Sequence, residues 1–106
     1  MREKVINKGN FTYEVTDSNI PVVVDFFAPW CQPCRKMQVV MNQVVDESDG
    51  SYAVGTVNVN EEDELSARFK IMSIPTIKIF KGGEVVATSV GVVSKDKIME
   101  MIRSIK

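Results

Sequence analysis

The chain has 106 residues, 44% hydrophobic and 25% charged, and Lys+Arg 13 against Asp+Glu 14 gives a net charge of −1. That is the size and composition of one globular domain, spanning 1–106, and it excludes an intrinsically disordered chain. The charge balance lacks the basic excess of a nucleic-acid binder, and no apolar run approaches the ~20 residues a membrane-spanning helix needs.

The opening residues, Met1-Arg2-Glu3-Lys4-Val5-Ile6-Asn7-Lys8, lack the apolar core of a secretory signal, so the expected compartment is the cytoplasm. A short strand is predicted near Val5-Ile6, followed by a weak helix from about Phe11 to Asn19. Val22-Val23-Val24-Asp25-Phe26-Phe27-Ala28 is a nearly continuous β-branched and aromatic run, the pattern of a central strand covered on both faces. From Pro33 the period changes. Met37, Val40, Met41, Val44 and Val45 recur at helical spacing, Pro33 suits the first turn, and Asp49-Gly50 marks the stop. Val54, Val57 and Val59 mark a second strand. Asn60 is the expected cap of the next helix, with Glu61 to Glu64 at its positive end, Arg68 and Lys70 at its negative end, and Leu65 and Phe69 facing inward.

Ile74-Pro75-Thr76 introduces a third strand in which Ile77 and Ile79 alternate with Lys78. Lys81-Gly82-Gly83-Glu84 predicts a tight type I′ hairpin turn, with Val85 to Val90 as the return strand. Ser94 is placed to cap a last helix striped by Ile98, Met101, Ile102 and Ile105. The class is α/β, a central sheet flanked by helices, but spacing alone leaves open whether the Ile77 strand runs parallel or antiparallel to the first.

Two absences narrow the chemistry. With no histidine there is no imidazole base or metal ligand, and with only Cys31 and Cys34 there is no disulfide framework. A Cys-x-x-Cys pair has three physical meanings. Half a zinc or iron–sulfur site would need ligands this chain lacks, so only a cluster shared between two chains would complete it. A structural disulfide across so short a loop removes little chain entropy. A redox dithiol fits the position, because Cys31 falls between a buried strand and an amphipathic helix. There the free N–H groups and the helix dipole favour a thiolate. Cys31 is then the accessible nucleophile, Cys34 the sequestered resolving thiol, and Gln32 and Pro33 shape the turn between them.

The stretch Val24-Asp25-Phe26-Phe27-Ala28-Pro29-Trp30-Cys31-Gln32-Pro33-Cys34-Arg35-Lys36-Met37 closely resembles the active-site segment of the thioredoxin family. Ser73-Ile74-Pro75-Thr76, Phe80-Lys81-Gly82-Gly83-Glu84 and Val90-Gly91 resemble later landmarks of that family at matching distances, so the resemblance covers about Phe11 to Ile105. It implies the thioredoxin fold, with a mixed sheet, hairpin strands antiparallel to the first, and a cis-proline at Pro75 before the third core strand. It also implies a dithiol–disulfide oxidoreductase that reduces protein disulfides, needs no bound cofactor or metal, and is recharged by a thioredoxin reductase. A monomer is the default. Two other functions share the pattern: a thiol oxidase or isomerase of the same fold, and a non-catalytic binding module.

This sequence departs from the family pattern in four places. Gln32 stands where glycine is usual, Phe27 where tryptophan is frequent, Val39 in place of a helix-kinking proline, and Thr56 in place of a lysine facing the buried aspartate. The first affects thiolate stability and hence reduction potential, and the third implies a straighter helix. Asp25, set inside an apolar strand, is the expected proton acceptor for Cys34. Burial raises its pKa, and without a cation at position 56 it should titrate still higher. Trp30, Ile74, Pro75, Val90, Gly91 and Val92 are the expected substrate groove, in which the free Ile74 backbone pairs with an extended peptide and Gly91 allows close approach. Arg35 and Lys36 are expected on the solvated face, and the methionines in the packing.

Overall fold

The run Val22–Phe27 forms β2, the middle strand of a five-stranded sheet in a computed structural model that describes residues 3–105. Met1, Arg2 and Lys106, at the ends of the expected 1–106 domain, lie outside the described residues. The other strands are β1 (Lys4–Val5), β3 (Ala53–Asn58), β4 (Thr76–Lys81) and β5 (Glu84–Val90). The order across the sheet is β1-β3-β2-β4-β5. β1, β3 and β2 run parallel, whereas β4 is antiparallel to β2 and β5 to β4. The direction that spacing left open is therefore antiparallel, as the family resemblance implied.

Strand alternation distributes the core over two layers. On one face Val23, Val54, Ile77 and Ile79 pack under helix α1 (Gln32–Asp46) and helix α3 (Lys95–Ser104), meeting Met37, Met41, Val44, Ile98 and Ile102. On the other face Val22, Val24, Phe26, Val57 and Phe80 meet Ile6, Phe11, Val15 and Leu65, the last from helix α2 (Asp63–Arg68). Phe69 joins this layer, its ring stacked 5.3 Å from Phe11 and edge-on 5.1 Å from Phe80. Asp25 and Thr56 are paired across β2 and β3, and by alternation both belong to the α1 face. A carboxyl is thereby placed beneath the helix that carries the cysteines.

Several local expectations hold in detail. Gly82 and Gly83 have φ of 61° and 84°, the two positive values a type I′ turn requires. The Ser94 hydroxyl caps α3 by accepting the Lys97 N–H at 3.1 Å. The Ile74–Pro75 peptide is cis and immediately precedes β4.

Others are corrected. The first helical segment is a π-helical turn, Thr12–Thr16, shorter than the predicted span. β3 ends at Asn58, one residue before Val59, whose N–H is still bound to the Phe27 carbonyl. α1 stops at Asp46 with Glu47 as its cap residue, and Asp49-Gly50 lies in the following turn. Asn60 does not cap α2. The cap position is Glu62, and Asn58 folds the turn instead, its side-chain oxygen accepting the Asn60 N–H at 3.0 Å and its carbonyl accepting from Glu61 and Glu62. An asparagine that ends a strand can bond its own backbone two residues on, which moves the helix start downstream.

Candidate active site around the Cys31–Cys34 pair

β2 leads through buried Ala28 into an exposed Pro29-Trp30 turn, and the chain then enters α1 at Cys31. Cys31 is the N-cap residue, in extended conformation at φ −88° and ψ 112°. Its N–H donates to the Ala28 carbonyl at 3.1 Å, and its own carbonyl accepts the Arg35 N–H at 3.3 Å. Its sulfur takes the place of a capping oxygen, accepting the Cys34 N–H at 3.2 Å. Pro33 lies in the first turn, where a missing N–H leaves no bond unmade. α1 runs unbroken to Asp46 with Val39 on its exposed side.

The two cysteines are joined as a disulfide, their Cα atoms 5.2 Å apart. Fractional exposure does not separate them: Cys31 is 5% and Cys34 4% exposed. In the bonded state each sulfur covers the other, so the expected contrast between an open and a sequestered thiol lies in what each one faces. The Cys31 sulfur is 3.9 Å from the Ile74 carbonyl. Cys34 faces inward and lines a cavity of about 400 Å³ with Glu3, Asp25, Arg35, Gln38 and Thr56. A negative charge on Cys31 is favoured by the cap N–H and by the positive end of α1.

Asp25 is 3% exposed, and its Oδ1 has no hydrogen-bond partner among the described residues. Burial pushes its carboxyl from the ordinary 3.8 up to about 7, and the negative charge of Glu3 adds to that push. The direction agrees with the expectation from sequence. Glu3 is the residue that sequence reasoning missed. Its signal was its place two residues before Val5, which on β1 is in register with Thr56 and so lies on the Asp25 face. Arg35 is exposed as expected, yet it also lines the cavity, and its guanidinium donates to the Pro29 carbonyl at 3.3 Å.

The residues expected to form a substrate groove are Trp30, Ile74, Pro75, Val90, Gly91 and Val92. Trp30 is 67% exposed, so this lone tryptophan is on the surface and not in the core. Val90 and Val92 are also exposed, Ile74 is partly buried and Pro75 is buried. The Gly91 N–H donates to the Pro75 carbonyl at 2.8 Å, tying the end of β5 to the start of β4. Gly91 has φ +88°, and a Cβ built there would meet no atom within 4 Å. The backbone conformation therefore demands glycine, and the space above it is open. Ile74 takes part in no backbone–backbone hydrogen bond among the described residues.

The family model described as Thioredoxin matches residues 2–104. A curated "Thioredoxin 1" of Nostoc sp. is 39% identical over 97 residues, covering 92% of this chain and 91% of the relative. "Thioredoxin" of Pyropia yezoensis is 40% identical over 93 residues, 88% of this chain and 87% of that one. "Thioredoxin" of Haemophilus influenzae is 37% identical over 97 residues, again 92% and 91%.

Proposed function

We propose a division of labour among the residues of this chain, which belongs to the thioredoxin family and is a thiol–disulfide oxidoreductase with disulfide reductase activity. The observation that carries it is the Cys31 sulfur seated as the N-cap of α1, bound by the Cys34 N–H at 3.2 Å. A thiolate there is stabilised before substrate arrives.

Cys31 attacks one sulfur of a substrate disulfide. The substrate S–S bond breaks, one substrate sulfur leaves as a thiolate that takes up a proton, and Cys31 is held in a mixed disulfide. Asp25, ionised at that moment, accepts the Cys34 thiol proton across the cavity they share. The Cys34 thiolate attacks the Cys31 sulfur, the bond to substrate breaks, and the second substrate thiol is released. The substrate gains two electrons and two protons, and the chain is left as the Cys31–Cys34 disulfide. The two sulfurs carry both electrons, so the exchange needs no further cofactor.

Gln32 and Pro33 shape the turn that sets the Cys31 environment. Trp30, Ile74, Pro75, Val90, Gly91 and Val92 form the groove that takes an extended peptide flanking the substrate disulfide, through apolar contact and the free Ile74 backbone. The chain acts as one domain and a monomer in the cytoplasm, with a role in electron transport and cell redox homeostasis, and a thioredoxin reductase returns it to the dithiol. No helix among the described residues is long and apolar enough to cross a membrane.

The test is trapping. Cys34→Ser should accumulate a mixed disulfide with a protein substrate, Cys31→Ser should not, and the double variant should lose all reductase activity. Activity retained by the double variant would favour the binding-module function instead.

A further inference from the structure

We propose that Glu3 is a positioning residue for the resolving step: its carboxyl pairs electrostatically with that of Asp25 across the cavity beside Cys34, and so sets the pH at which Asp25 holds the proton. The inference rests on the assignment of Asp25 as the proton acceptor.

Two features place the two carboxyls together, and a third marks both as unsatisfied. Glu3 and Asp25 both line the ≈ 400 Å³ cavity whose wall also includes Cys34. Strand parity puts them on one face: Val5 opposes Thr56, Thr56 opposes Asp25, and Glu3 is two residues before Val5 on the same side of the sheet. Each carboxyl also carries an orphaned oxygen, since Glu3 Oε2 and Asp25 Oδ1 are both buried without a hydrogen-bond partner among the described residues. Such groups cost free energy, and the cost is greatest when the oxygen is charged.

Among the described residues, the surrounding elements do little to neutralise the pair. β3 contributes the uncharged Thr56, and α1 contributes Cys34, Gln38 and Arg35. Arg35 is the cation among the described lining residues, and its guanidinium is directed to the Pro29 carbonyl. Lys4, next to Glu3 in sequence, pairs with Glu14 at 3.2 Å. Two carboxyls that line one cavity, one of them buried, do not both ionise readily. Burial raises both, and Asp25 additionally feels the Glu3 charge. Glu3 is only partly buried, just before the edge strand, so it is the member that gives up its proton more easily. Its negative charge then holds the proton on Asp25. Glu3 touches no reacting sulfur, and acts through Asp25.

The experiment is a charge series at one position in the full chain: Glu3→Asp, Glu3→Gln and Glu3→Lys. In the reduced protein, carboxyl-carbon NMR follows the Asp25 midpoint. In parallel, the pH dependence of resolution is read from the release of thionitrobenzoate held as a mixed disulfide on Cys31. The expected result is an Asp25 midpoint that stays high in Glu3→Asp, shifts down in Glu3→Gln and shifts down further in Glu3→Lys, with the resolution profile moving in the same order. A merely structural role would not sort by charge. An Asp25 midpoint that is the same across the series overturns the pairing. A midpoint that shifts while the resolution profile stays fixed removes Asp25 from proton transfer, and Glu3 with it. The two failures are therefore distinguishable.

Discussion

Replacing Asp25 by Asn should make the protein's stability less dependent on pH, because Asp25 destabilises the fold whenever it is charged. The carboxyl is 3% exposed, and its pKa rises from 3.8 in the unfolded chain to about 7 in the folded one. Between those values the folded state holds a proton that the unfolded state has released, so stability falls as pH rises. Below 3.8 both states are protonated and no penalty exists. Above about 7 both are ionised and the penalty is complete. At about 1.4 kcal/mol for each tenfold change in proton affinity, the penalty reaches about 4 kcal/mol. An Asn amide in the same place is itself buried without a partner and costs about 1–3 kcal/mol, but that cost does not depend on pH. The assay is urea unfolding of the oxidised protein, in which the cysteines do not titrate, across pH 4 to pH 9 for wild type and Asp25→Asn. The difference in unfolding free energy between the two should swing by about 4 kcal/mol in favour of the variant over that range. A difference that stays constant with pH would refute both the burial argument and the raised pKa.

Three further outcomes follow from individual residues. Gly55→Ala should destabilise by about 1–3 kcal/mol, because its Cβ would lie 2.7 Å from Ile6 Cγ1 and Ile6 is itself buried, and thermal unfolding reads the loss. Gly91→Ala should cost about 1–2 kcal/mol from backbone conformation alone, since φ is +88° and no atom obstructs a methyl there; an unchanged Tm would contradict that origin. The Cys31–Cys34 couple should have a reduction potential below the glutathione poise of about −220 to −260 mV. The fluorescence of Trp30, next to the pair, reports it in thiol buffers, and a value well above that range would indicate an oxidase or isomerase.

Much of the scaffold was legible because it rests on short-range rules. The apolar run at Val22–Phe27, the helical stripe of Met37, Met41, Val44 and Val45, the Gly82-Gly83 turn and the Ser94 cap each depend on a few neighbouring residues. The misplaced boundaries have a common cause. At Asn58–Glu62 two asparagines and two glutamates compete to organise one turn, and local propensity does not choose between them. In the Phe11–Asn19 segment the polar faces give little periodicity, and burial of Phe11 and Val15 against the sheet decides which turn forms.

The site divides along the same line. Sequence by itself determined the chemistry: two thiols three residues apart at a strand-to-helix junction, without histidine, leave few reactions besides dithiol exchange, and an Asp inside an apolar strand announces a perturbed carboxyl. What it did not contain was the environment of each group. The direction of β4 against β2, the exposure of Trp30, the separate faces of Cys31 and Cys34, and the presence of Glu3 in the Asp25 cavity all depend on segments distant along the chain. Glu3 and Asp25 are brought to one cavity only because β1 and β2 both pair with β3, in registers set by the side chains that each sheet face buries. Charge interactions depend on separation in space, and that separation exists only after the sheet has formed.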